Sequence, residues 1–188
     1  MNRRSFLAVL LLAISVGCNV GLRRPEMVQG RTLDPQMISA EPVHNAADAV
    51  TVRLLNTQAR SHIRHRILHR KADGELVEDA IWSWSSPPHR YLDTALNMAG
   101  ASDPNVDIVD TSDAPTLAVT LIAFHLESAR LVAAVELRIK DREQRLQTQV
   151  VRAEEPVAGE LPGNLAEAAG DLLLRLATSC LASVGEVS

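Results

Sequence analysis

Cysteine and aromatic residues are scarce in this chain: two Cys, two Trp, one Tyr and two Phe among 188 residues. Cys18 lies in an N-terminal apolar stretch and Cys180 stands alone in an apolar helical pattern. That leaves no pair for a bridge within a mature domain and excludes a disulfide framework. A domain of this size buries enough apolar surface to fold without a bridge or a structural metal. Excess positive charge is missing too. With 19 Lys+Arg against 23 Asp+Glu and a formal net charge of −4, the chain offers no broad basic surface, and nucleic acid is not an expected partner. No internal repeat or low-complexity tract is present. The 46% hydrophobic content is that of an ordinary globular protein, with room for one domain after targeting sequence is set aside.

An export signal opens the sequence. Asn2-Arg3-Arg4 supplies a positive start, and Phe6 to Val16 is an apolar run of signal-peptide length followed by small residues. The stretch Ile14-Ser15-Val16-Gly17-Cys18 resembles a bacterial lipobox, so residues 1–17 are expected to be removed and Cys18 acylated as the mature N-terminus. Two or three acyl chains, at about 0.8 kcal/mol per buried methylene, make such an anchor stable. Arg3-Arg4-Ser5-Phe6-Leu7 also resembles the twin-arginine motif, which leaves both export routes open. The competing reading is an uncleaved anchor over Ser5–Leu22, at the lower edge of spanning length, with Gly17, Asn19 and Gly21 diluting its last third. Asn19, where many inner-membrane lipoproteins carry Asp, favours the outer membrane.

Residues 18–48 carry Pro25, Pro35 and Pro42 without sustained period-2 or period-3.6 patterning and are read as a tether. The working domain is 49–188. Val50, Val52 and Leu54 alternate with polar residues, Ile63–Arg70 continues as a strand, and Ala72-Asp73-Gly74 turns the chain into Leu76–Ser85. Pro87 and Pro88 end that strand, and Tyr91, Leu92, Ala95, Leu96 and Ala99 form one helical face stopped by Gly100. A short strand at Val106–Val109, a central one at Leu117–Leu126 and an alternating one at Leu131–Ile139 follow, and Arg145–Arg152 completes the meander. Asn164 is expected to cap a closing helix whose stripe runs Leu165, Ala169, Leu172, Leu173, Leu176, Cys180 and Val184. The pattern predicts an α+β domain of two layers, a twisted, largely antiparallel sheet with two helices packed on one face.

The passage Ala80-Ile81-Trp82-Ser83-Trp84-Ser85-Ser86-Pro87-Pro88, followed by Tyr91-Leu92-Asp93-Thr94-Ala95-Leu96, resembles the ABC-type transport auxiliary lipoprotein family, which includes PqiC-like proteins. Members carry a tryptophan near the end of the third strand, then a short turn and a helix, and Trp84 fits that place. Ser85-Ser86 stands where many members have a small residue and an acid. The core strand Leu117–Phe124 is a further, compositional match. The resemblance implies a non-enzymatic periplasmic lipoprotein, docking or assisting an envelope lipid-transport machine. Its implied partners are a mammalian-cell-entry-domain protein and ABC transporter subunits. No catalytic residue and no cofactor are carried over. The alternative is a stand-alone structural or stress-related envelope lipoprotein without a transporter, and the sequence leaves homo-oligomerisation open.

Four residues of the mature domain are candidates for binding a partner or lipid: Arg64, Arg66, Trp82 and Trp84. The segment Arg60–Lys71 concentrates cations that suit anionic headgroups or an acidic partner. The two tryptophans share a strand face, and core packing against the first helix competes with a contact role, most strongly for Trp84. His62, His65 and His69 do not assemble a metal site on a strand, where His65 and His69 would lie about 13 Å apart. Ser85, Ser86, His89 and Asp93 cluster in sequence, but no Gly-x-Ser-x-Gly elbow frames a nucleophile, and no enzyme is expected.

Overall fold

The structure, a computed structural model, describes residues 30–38, 41–159 and 162–185. The signal reading over residues 1–17 and the lipidation of Cys18 lie outside the described residues.

Two long hairpin-linked strands carry the sheet. β7 (Thr116–Glu127) and β8 (Arg130–Lys140) pair antiparallel from Thr116↔Lys140 to Glu127↔Arg130. Their link is the two-residue turn Ser128-Ala129, with φ of 47° and 61°, the left-handed pair that matches strand twist in a tight hairpin. β9 (Leu146–Pro156) continues antiparallel along β8. On the other side of β7 the chain from 50 to 70 runs in the same direction as β7 and lays three short strands end to end. β2 (Val50–Leu54) meets Thr116 and Leu117, β3 (Gln58–Ala59) meets Thr120 and Leu121, and β4 (Arg66–Arg70) meets Leu126. β6 (Val106–Ile108) flanks β2 in parallel, and β5 (Leu76–Trp84) flanks β4 antiparallel. The long ladders are antiparallel and the short ones mostly parallel, so the sheet is mixed, open and of the expected α+β class.

Both helices cover one face. α1 (Pro88–Ser102) begins with Pro88 behind an extended Pro87, where a missing N–H and a fixed φ cost nothing. α2 (Gly163–Gly185) is long and apolar enough to cross a membrane, yet Leu165, Ala169, Leu172, Leu173, Leu176, Cys180 and Val184 all face the core. These side chains meet Leu92, Ala95 and Leu96 of α1 and the inward rows Leu117, Val119, Leu121 of β7 and Leu131, Ala133, Val135, Leu137, Ile139 of β8. A bulge between Leu121 and Ala123 shifts the parity, so Phe124 and Leu126 also point inward.

Three local expectations change. Gly100 does not stop α1, which runs on to Ser102. It is the point of closest approach to β6, where a Cβ would lie 2.3 Å from the Ile108 side chain. Asn164 sits inside the first turn of α2 rather than capping it. Within the stretch read as tether, β1 (Arg31–Leu33) joins the sheet parallel to β5, with Arg31 opposite Trp82 and Leu33 opposite Trp84. Residues 31–38 then pass along α2, where the Gln36 N–H donates to the Ala166 carbonyl at 2.9 Å, and Val43 and Ala46 bond to the C-terminal end of α1 and the residues after it. This part of the chain is a strap on the domain. Three strand residues flanked by Pro35 are too few to show an alternation.

Candidate functional site

The basic segment is placed by a tight hairpin. Gly74, at φ 88°, the Lys71 N–H to Glu75 carbonyl bond and the Asp73 carboxylate accepting from the Glu75 N–H fold β5 back on β4. The strand begins only at Arg66. Residues 60–65 form a loop pinned by buried Ile63 and by the Trp84 N–H, which donates to the His65 carbonyl. Arg60, Arg64, Arg66 and Arg70 are all exposed, and among the described residues none has a carboxylate within ion-pair distance. Arg64 is held by its own loop through the Ser61 carbonyl, and Arg66 reaches the Asp79 carbonyl at 3.5 Å. Many other sheet cations are neutralised: Lys71 by Glu75, Arg130 and Arg152 by Glu154, Arg138 by Glu136, Arg145 by Asp141 and Glu143. An open groove of about 340 Å³ lies beside the strip, lined by Ser61, His62, Arg64 and Glu78 with Leu68 and Leu76 as its apolar part. The arrangement can bind an extended acidic or amphiphilic group.

The tryptophans part company. Trp84 is 2% exposed, tilted on Phe124 at 5.4 Å and edge-on to Tyr91 at 6.5 Å, which makes it a core residue. Trp82 is half-buried, and the Arg31 guanidinium from β1 stacks over its ring at 5.6 Å. The strap therefore occupies part of the face that Trp82 would offer. Asp34, two residues beyond Thr32 of β1, accepts from the Ser85 and Tyr91 hydroxyls, whose bonds hold its carboxyl below the usual range. Tyr91 is raised in turn, first by burial and then by that carboxylate. Arg31, Asp34 and Tyr91 were missed as a unit in the sequence. The one trace of them lies beyond the three strand residues, in the spacing Leu33, Pro35, Met37, whose first two side chains are buried and whose third packs on the core.

The histidines do not converge on one point. His69 bonds Asp79 at 2.8 Å. Burial opposes ionisation of Asp79, but the Trp82 and Ile81 N–H groups and His69 outweigh it and hold the carboxyl low. Among the described residues no group of three or more His, Cys, Asp or Glu could hold a metal ion. Ser85 and Asp93 turn to different partners, Asp34 for the serine and the Thr57 hydroxyl, at 2.9 Å, for the aspartate.

No family model matches the chain, and no curated protein matches it. Solved structures do. A Xanthomonas campestris protein of the DUF330 family superposes with a TM-score of 0.68 at 19% identity, over 84% of this chain and 98% of its own. An uncharacterized protein superposes at 0.62 with 17% identity, over 84% and 100%. A hypothetical protein of Chlamydia trachomatis does so at 0.51 with 10% identity, over 73% and 96%. The chain therefore has the fold of these proteins over nearly their whole length.

Proposed function

We propose that this protein is a lipid-anchored envelope component that docks, without catalysis of its own, onto a mammalian-cell-entry-domain protein of an ABC-type lipid-transport system. The observation that carries the docking surface is the row of exposed arginines that have no carboxylate partner among the described residues, Arg60, Arg64, Arg66 and Arg70, in a chain whose net charge is negative. Such a row costs self-repulsion and is relieved when an acidic surface covers it. The lipobox at Cys18 and the family resemblance around Trp84 supply the envelope and the transporter. The shared fold with a DUF330 protein is compatible with both. Arg64 and Arg66 take the partner's acidic groups, the groove lined by Leu68 and Leu76 takes an apolar side chain, and Trp84 acts through the core rather than by touching the partner. The experiment is co-purification of the full chain from crosslinked, detergent-solubilised envelopes, read by mass spectrometry. Recovery of a mammalian-cell-entry-domain protein with its ATPase or permease supports the reading. Recovery of no transporter component replaces it with the stand-alone lipoprotein.

A further inference from the structure

β9 is a long strand with one edge unpaired among the described residues, and the backbone bonds show which groups that edge presents. The Val157 N–H donates to the Ala129 carbonyl and the Asp141 N–H to the Arg145 carbonyl, so the odd-numbered residues of this strand face β8. Both main-chain groups of one residue in an antiparallel strand point to the same neighbour. Leu146, Thr148, Val150 and Arg152 therefore turn their N–H and C=O groups to the open side. Beyond them the edge is closed. Arg175 donates to the Glu154 carbonyl at 2.9 Å, and Pro156 has no N–H to offer. Natural proteins guard such edges with charge or proline. Here the guards stand at one end only, and the run Leu146-Gln147-Thr148-Gln149-Val150-Val151 is uncharged, with Leu146 61% and Val150 59% exposed.

We propose that this edge pairs antiparallel with the same edge of a second copy, about a two-fold axis at Gln149, to make one continuous sheet. In that register Leu146 faces Arg152 of the second copy and Thr148 faces Val150 of the second copy, each pair exchanging both main-chain bonds, and Gln149 faces itself. All four open residues are satisfied and the pairing stops short of Glu154 and Pro156. No like charges oppose each other: Arg145 falls opposite Ala153, within diagonal reach of Glu155 of the second copy. Moving the two-fold axis by one residue either way fails. An axis at Val150 sets Leu146 against Glu154, whose carbonyl Arg175 already holds, and an axis at Thr148 sets Arg152 against Gln144, which lies before β9 in the turn at φ 66° and offers no strand partner.

The test is disulfide trapping of the full chain in envelope membranes, with the unsubstituted chain as control for Cys18. A non-hydrogen-bonded antiparallel pair has Cα atoms about 4.5 Å apart, inside disulfide range. Gln149→Cys should give a species of twice the mass under oxidation, and Val150→Cys several-fold less. Thr148→Pro removes an outward N–H without touching the β8 ladder, and should turn the detergent-purified chain from dimer to monomer by light scattering at an unchanged melting temperature. Absence of a dimer for Gln149→Cys while its thiol still reacts with maleimide overturns the proposal. So does equal trapping of Val150→Cys, which means another register, or a trapped species containing a different protein. Dimerisation is read on this chain alone, so its outcome is independent of whether a transporter is found.

Discussion

Trp84 and His125 mark the two faces of the sheet at the level of single residues. Trp84 fills the core between Phe124 and Tyr91, in ring contact with both. Trp84→Ala should lower stability by about 3–5 kcal/mol in urea unfolding, the range for emptying a large aromatic site. His125 lies on the face away from the helices, 5% exposed, in register between the bulged stretch of β7 and Val132. Its Nε2 is 3.5 Å from the Glu127 carboxylate, near enough for attraction but without a hydrogen bond. Burial lowers its pKa, Glu127 works against that, and Arg70 and Arg152 add to the lowering. The unfolded chain then binds the proton more readily than the folded one. The stability tied to neutral His125 is complete above the unfolded value of 6.5 and declines as pH falls below it. The melting temperature should drop between about pH 7 and pH 5, and His125→Leu should flatten that slope. His89, also lowered by burial, contributes in the same direction, while Asp34 and Asp79 lose their contribution only below their unfolded value of 3.8.

The strap between β1 and β2 is the element with the sharpest steric requirement. A Cβ on Gly170 of α2 would lie 1.9 Å from the Gln36 carbonyl oxygen and 2.4 Å from its carbon, and both are backbone atoms that cannot swing away. Gly170→Ala gains about 1 kcal/mol of helix propensity but meets an overpacking cost of about 1–3 kcal/mol. The expected result is a net loss of stability, with faster hydrogen exchange at the Gln36 amide that bonds Ala166. An unchanged exchange rate at Gln36 would contradict the fit. Elements of this kind are where the sequence is least legible. β2, β5, β7, β8 and both helices show in the alternation and helical stripes, while β4 and β9 bury no regular face and show only as continuations of the strands beside them. β1 and β3 do not show, because two or three residues carry no period, and their parallel partners are remote in sequence. Gly100 reads as a helix stop from its type alone, and only the approach of Ile108 explains it inside α1. At the candidate site, the exposure of Arg64 and Arg66 follows from the basic run. The cover that Arg31 lays on Trp82 depends on a strand that the prolines conceal.

At the scale of the whole molecule, the strapped α+β domain stands between a proposed lipid anchor and a proposed basic docking strip. The anchor is checked by mass spectrometry of the membrane fraction, which should find residues 1–17 removed and Cys18 carrying acyl chains; an intact, unacylated N-terminus would mean an uncleaved anchor instead. Cys180 is buried in α2, and that burial pushes its thiol up to about 12. The docking claim is tested most directly by charge reversal. The chain carrying Arg64→Glu and Arg66→Glu is compared with the unsubstituted chain for recovery of the proposed mammalian-cell-entry-domain partner over a range of salt. Both side chains are exposed and have no carboxylate partner among the described residues, so their replacement should leave the melting temperature nearly unchanged. The account predicts that recovery falls about tenfold at low salt and that its salt dependence becomes shallower, as expected when contacts between opposite charges are removed. Equal recovery of the partner by both chains, with the same salt dependence, would contradict it.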